Sequence, residues 1–384
     1  MKENQRTRSV RLALVEARRV VVKVGSGVLV GPDYHLDESR VAAFVSSVSA
    51  LLKERQVVVV SSGAIAAGAP IMGLENRART IPENQACAAV GQSRLMAMYE
   101  RLFSLHGHHT AQILLTQDDV RHRRRYLYAK NTLETLLSGR IVPIVNENDT
   151  VVVEEIKFGE NDNLAAQVAA LVQADLLLLL SSVAGFYEKD PSQVTEDDTP
   201  ISVVERITDA HFSYARDRMS SSSITSGGMR SKLMAIRKAA QYGIPSVLAT
   251  GLKRNTIERV LSGREEGTLF LPEENKLSAR KHWILHSLTT QGSLYIDTGA
   301  VRALVEQKRS LLPIGITRVE GEFGSGASVR VVSPDDQEIA CGLTHYNSKE
   351  LEVIRGARSE KIESLLGYSY YDEVIHRDNL VLLR

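Results

Sequence analysis

The chain has 384 residues, beyond the ~250–300 at which a single hydrophobic core stops growing, so two domains are expected, one large and one small. Its 47 basic and 46 acidic residues nearly cancel, which removes any global pull toward nucleic acid or an anionic membrane, and hydrophobic residues at 43% suffice for a sizeable core. Two distant cysteines, Cys87 and Cys341, exclude a disulfide scaffold and suit a reducing, cytoplasmic setting; the basic N-terminus lacks the apolar stretch of a secretory signal, and no run approaches the ~18 apolar residues of a membrane span.

Six continuous apolar runs, at residues 20–24, 57–60, 112–115, 141–145, 176–180 and 246–249, show no polar alternation and predict strands buried on both faces. Between them, apolar positions recur with helical period over 39–52, 85–105, 126–137, 164–173 and 229–242. This alternation predicts an α/β fold over residues 18–272: an open, mainly parallel sheet sandwiched by helices. The texture changes at 271–283, a polar run containing Pro272 that reads as a linker. Short strand-like pieces follow at 293–297, 316–320, 328–332 and 338–343, with helices at 300–306 and 348–355, so a small, mostly-β domain is expected over 280–384.

Ligands of an open parallel sheet bind beyond the carboxyl ends of its strands, so the residues after each strand carry the functional reading. The first strand runs into Lys23-Val24-Gly25-Ser26-Gly27, small residues that let a backbone approach phosphate beside a point charge; a tight strand-to-helix turn is the simpler reading of these residues alone, and P-loop spacing is absent. The second is followed by Ser61-Ser62-Gly63, which offers hydroxyls and free N–H groups or simply a helix cap. After the fourth comes Asn146-Glu147-Asn148-Asp149, and later Gly159-Glu160-Asn161-Asp162-Asn163. Carboxamides and carboxylates in this mixture can grip an amino acid, or can build two Asx turns. The fifth leads into Ser181 and Ser182, which border a nucleotide or only a loop. Ser226-Gly227-Gly228-Met229-Arg230-Ser231-Lys232 opens a helix and places a cation in its first turn, where the helix dipole disfavours one unless an anion is present.

Together the segments VVKVGSGVL, SSGAIAAG, AAVGQSRLM, NENDT, GENDN, SGGMRSK and GTLF resemble the glutamate 5-kinases of the amino-acid-kinase family, in order and spacing across about residues 20–270. The segments SLLPIGITRVEGEFGSG and IACGLTHYNSKEL, with HRDNLVL at the end, resemble the PUA domain fused to many of those kinases. The resemblance implies ATP and L-glutamate as substrates, Mg²⁺ bridging the ATP oxygens, and the first step of proline biosynthesis. It implies that Lys23 and Lys232 contact the ATP phosphates and that Asp162 lies between them. It implies that Ser62, Asp149 and Asn161 bind glutamate, with Asn146 and Asn148 nearby. Gly25, Ser26, Gly63, Ser181, Ser182 and the run 226–232 would line the ATP site, with Gly25, Ser26, Gly63, Gly227 and Gly228 supplying backbone N–H groups. A homo-oligomer, dimer or tetramer, is implied in the same way, and a glutamyl-phosphate reductase is a candidate partner.

Three departures bear on nucleotide affinity. Ser181-Ser182 stands where relatives usually carry Thr-Asp or Ser-Asp, the loop at 220–225 is Ser-rich rather than Gly-rich, and Tyr128 and Lys130 replace the usual Asn and Arg. The rival reading is an RNA-binding or regulatory protein on a kinase scaffold with weakened catalysis. Balanced charge in the tail speaks against it, and the basic run 121–125 reads more simply as a solvated helix start.

Overall fold

The computed structural model describes residues 2–74, 80–151, 160–189, 194–195, 198–215, 228–273, 290–369 and 371–383. Its first unit is built on eight strands: β1 Arg19–Val24, β2 Gln56–Ser61, β3 Thr110–Leu115, β4 Val142–Glu147, β5 Leu176–Ser181, β6 Val203–Val204, β7 Ser246–Thr250 and β8 Thr268–Phe270. They form one sheet in the order β3-β4-β2-β1-β5-β7-β8-β6, with every pairing parallel except β7–β8. The Val- and Leu-rich centres of β1, β2, β4, β5 and β7 are buried on both faces, as their unbroken apolar runs require. β3 differs from the expectation. It is an edge strand, with Leu114 38% exposed and only Leu115 fully inside, because among the described residues no strand pairs with its other side.

β4 extends past its expected end. Asn146 and Glu147, read from sequence as the start of a turn, are strand residues paired with Leu114 and Leu115. The helix Lys2–Val15 was also not expected, since its sequence is mostly polar. It is pinned by Arg11, which is buried and donates to the carbonyls of Arg264 (3.2 Å) and Ser202 (2.8 Å).

The covering helices begin where their caps allow. Asp37 accepts from the N–H groups of Ser39 and Arg40 to start Glu38–Leu51, whose Val41, Phe44, Val45 and Val48 face the sheet. Thr80 and Glu83 form a capping box at the start of Ile81–Ser104. That helix meets the short helix Ala64–Gly68 backbone to backbone. A Cβ on Gly91 would stand 1.8 Å from the Ala64 carbonyl oxygen, and one on Gly68 1.9 Å from that of Cys87. Gly91→Ala must therefore separate the two helices and is expected to destabilise the protein by about 3 kcal/mol, which thermal or denaturant unfolding would measure.

The second unit holds β9 Gly292–Ile296, β10 Ile316–Glu320, β11 Ser328–Val332, β12 Glu338–Leu343 and β13 Leu380–Leu382, in the order β10-β9-β11-β12-β13. Its own core gathers Leu294, Val329, Val331, Ala340, Leu351 and Ile375. The three-residue β13 was too short to be seen in the sequence. The expected linker lies outside the described residues from 274 onward. Among the described residues no helix is long and apolar enough to cross a membrane.

Candidate active site

β1 leads to β2, β4 and β3 on one side, while β5, β7, β8 and β6 lie on the other, so the order reverses between β1 and β5. Parallel register lines up the carboxyl ends there: Lys23 lies opposite Val60 and Leu179, and Val24 opposite Ser61 and Leu180. Such a reversal opens a crevice for ligands. Into it point Lys23 from β1, the turn Ser62-Gly63 after β2, the end of β4 and the start of the helix Glu160–Leu171.

Asp162 sits in the first turn of that helix with its side chain wholly buried. Its Oδ1 is 2.6 Å from Lys23 Nζ, and its Oδ2 is 3.3 Å from Lys232 Nζ and 2.8 Å from Ser231 Oγ. Both lysine side chains are also almost fully buried. Burial pushes the Asp162 carboxyl up, but the two ammonium groups outweigh it and hold the group at about 2. Lys232 occupies the first turn of the helix Met229–Gln241, at the end where a cation is disfavoured. Asp162 is thus the anion that ties the two cations together beside the crevice.

Beside this triad runs a chain of amides. Asn161 Nδ2 donates to Ser62 Oγ (3.3 Å) and to Asn146 Oδ1 (3.0 Å). The Glu147 N–H donates to Asn146 Oδ1 (2.9 Å) and Asn161 Oδ1 (3.2 Å). Asn146 Nδ2 donates to Gln92 Oε1 (2.8 Å). Asn148 and Asp149 line an adjoining cavity of about 300 Å³ with Gln92 and Glu147. Ser62, Asn146, Asn161 and Asp162, drawn from three separate sequence clusters, are thus brought together.

Other expected residues are placed differently. The Gly25 N–H donates to the Leu180 carbonyl (3.1 Å), so it is not free for a phosphate; the short helix Ser26–Leu29 that follows leaves the Ser26 N–H without an intrahelical acceptor. The Ser231 hydroxyl stands 2.8 Å from both Asp162 Oδ2 and the Gly228 carbonyl, so it braces the triad rather than a nucleotide. Arg230 is exposed, with its guanidinium 5.5 Å from the centre of the Phe212 ring. Met229 begins its helix partly exposed, Ser181 ends β5, and Ser182 is exposed in the bend that follows. Gly63 takes a left-handed φ of 113°, which fixes the turn that presents Ser62. Ser226, Gly227, Gly159 and the loop 220–225 lie outside the described residues.

Sequence reasoning missed Gln92. The signal was available: Ala88, Gln92, Leu95 and Tyr99 fall at helical spacing on one buried face, and Gln92 is the amide in an otherwise apolar stripe.

A crevice at the carboxyl ends of a parallel sheet, with two buried lysines tied to one aspartate, suits an enzyme that handles phosphoryl groups. The amino acid kinase family model matches residues 18–250, and a PUA domain model matches residues 292–366. The chain belongs to the amino acid kinase family. It is 48% identical over 371 residues to the glutamate 5-kinase of Geobacter sulfurreducens, covering 96% of this chain and 99% of that protein. It is 49% identical over 371 residues to the glutamate 5-kinase of Geobacter metallireducens, with the same coverage. With that of Moorella thermoacetica it shares 45% identity over 378 residues, covering 98% and 99%.

Proposed function

We propose that this protein transfers the γ-phosphate of ATP to the γ-carboxylate of L-glutamate, giving L-glutamyl 5-phosphate and ADP, the first step of proline biosynthesis. The observation that carries this reading is the buried Lys23–Asp162–Lys232 triad set against the Ser62–Asn161–Asn146 amide chain. A glutamate side chain, with an ordinary pKa of about 4.3, is already ionised at neutral pH, so the nucleophile needs no general base. One carboxylate oxygen attacks the γ-phosphorus, the bond from that phosphorus to the bridging oxygen breaks, and ADP leaves with the electron pair.

What such a reaction needs from the protein is alignment and positive charge. Lys23 and Lys232 face the transferring phosphoryl group, and Asp162 holds both ammonium groups in place. Ser26, Gly63 and the run 226–228, with Lys232, receive the ATP phosphates, beside Ser181 and Ser182. Ser62, Asn161 and Asn146 hold the acceptor, and Asp149, with Asn148 beside it, binds its ammonium group. Among the described residues no group of three or more His, Cys, Asp or Glu side chains stands ready to hold a metal, and both oxygens of Asp162 face lysines. Magnesium would come with the nucleotide and would offset charge on its phosphates.

Residues 18–272 form the kinase domain of this reading and 280–384 the PUA-like domain. This reading puts the reaction in the cytoplasm, which suits two buried cysteines outside any disulfide. A homo-oligomer, and delivery of the unstable product to a glutamyl-phosphate reductase, belong to the same reading.

Asp149→Ala is expected to raise the glutamate KM about tenfold or more, the loss of one charge-assisted bond, with a smaller change in the ATP KM. A change confined to ATP would move Asp149 to the other half of the site. The activity itself is tested by trapping acyl phosphate with hydroxylamine in the presence of MgATP. Hydroxamate should form with L-glutamate and not with aspartate or N-acetylglutamate; hydroxamate with either of those instead would overturn the substrate assignment.

A further inference from the structure

Gln92 has no part in the chemistry above, yet it is costly to keep where it is. It lies in the middle of the helix Ile81–Ser104 and is 9% exposed, and its Nε2 is buried with no hydrogen-bond partner among the described residues. A buried donor left unpaired costs about 1–3 kcal/mol. A methionine of similar length would fill the same space without that cost.

The polarity of the neighbouring amides shows what the glutamine supplies. The backbone N–H of Glu147 can only donate, so the Asn146 atom 2.9 Å from it is Oδ1, and the Asn161 atom 3.2 Å from it is also Oδ1. Asn146 Nδ2 therefore points the other way, and what it meets at 2.8 Å is Gln92 Oε1. With Nδ2 held there, Asn146 Oδ1 stays available to Asn161 Nδ2, and Asn161 in turn reaches Ser62 Oγ. Without the Gln92 acceptor, Asn146 Nδ2 becomes a buried donor that has lost this partner, which weakens the hold on that orientation of the amide. A turned Asn146 would set Nδ2 against two donors, the Glu147 N–H and Asn161 Nδ2, and would release Asn161 from Ser62.

We propose that Gln92 is a positioning residue for glutamate: its side-chain carbonyl fixes the orientation of Asn146 and, through it, of Asn161 and Ser62. The inference rests on glutamate being the acceptor substrate. The helix that carries Gln92 lies backbone to backbone against Ala64–Gly68 at Gly68 and Gly91.

The test compares steady-state constants of the full-length parent with those of Gln92→Met, which keeps the length and removes the acceptor, Gln92→Asn, which draws it back by one methylene, and Gln92→Glu, which keeps an acceptor in place. The Met and Asn variants should raise the glutamate KM about tenfold, with the ATP KM unchanged and kcat within about threefold. The Glu variant should stay within about threefold of the parent. The melting temperature of the Met variant should hardly move, because it removes one unpaired donor, Gln92 Nε2, and creates another, Asn146 Nδ2. A lowered melting temperature with an unmoved glutamate KM in both the Met and Asn variants would make Gln92 a structural residue and end the proposal. If one of the two does not fold, the other decides. The parent separates the two claims: no glutamate-dependent turnover there overturns the substrate, whereas normal parent turnover with unmoved variant KM overturns Gln92 alone.

Discussion

Lys232→Ala is expected to lower kcat about 10²–10³-fold, or ~3–4 kcal/mol of transition-state stabilisation, while the glutamate KM changes little. The lysine is buried, anchored 3.3 Å from Asp162 Oδ2, and placed at a helix N-terminus where only an anion justifies a cation. Charge on the phosphoryl oxygens shifts as the bond to ADP breaks, and a fixed ammonium in a site sheltered from water meets that change without reorganising. Glutamate is held elsewhere, by the amide chain, so its affinity should survive. Removing Lys232 leaves Asp162 with Lys23 as its remaining cation, so folding should be affected less than catalysis. Unchanged kcat would remove Lys232 from the mechanism.

Asp162→Asn should produce the opposite balance, with both catalysis and stability hit hard. The change keeps the shape and deletes the charge that holds two buried ammonium groups together. Breaking a buried ion pair from one side costs about 3–5 kcal/mol, and kcat should fall about 10²-fold or more as the lysines move apart. A triphosphate can replace the lost anion. Saturating MgATP should therefore raise the melting temperature of Asp162→Asn more than that of the parent. Equal shifts would show that the lysines do not meet the nucleotide. In the parent, the carboxyl titrates at about 2, below its unfolded value of about 3.9. Its contribution to stability is thus complete above that unfolded value and is lost as pH falls through about 2. Any fall in rate between pH 5 and 7 must come from another group.

The sheet and most of the candidate site were legible because the central strands are Val- and Leu-rich runs, several of which lead into polar clusters. Lys23, Ser62 and the cluster at 146–149 stood out for that reason, and parallel register then brought distant ends to one edge. What stayed hidden depends on contacts that no local pattern encodes. The Gly25 N–H is spent on the Leu180 carbonyl of the neighbouring strand. Asn146 belongs to β4 because β3 pairs with it there. The edge position of β3 and the antiparallel β8 follow from strand order, which runs of apolar residues do not specify. Gln92 reaches the site across 54 residues of chain, through its bond to Asn146.

The most direct measurement follows the glutamate oxygen. Glutamate labelled with ¹⁸O in its γ-carboxylate is turned over with unlabelled MgATP, the acyl phosphate is captured by hydroxylamine, and the released phosphate is examined by ³¹P NMR. If the carboxylate attacks phosphorus directly, the bridging oxygen is labelled, and capture at the acyl carbon leaves that oxygen in phosphate, one label per molecule. Phosphate free of ¹⁸O, formed in step with ADP, would mean that water rather than glutamate takes the phosphoryl group, and would contradict the role assigned to the Ser62–Asn161–Asn146 chain.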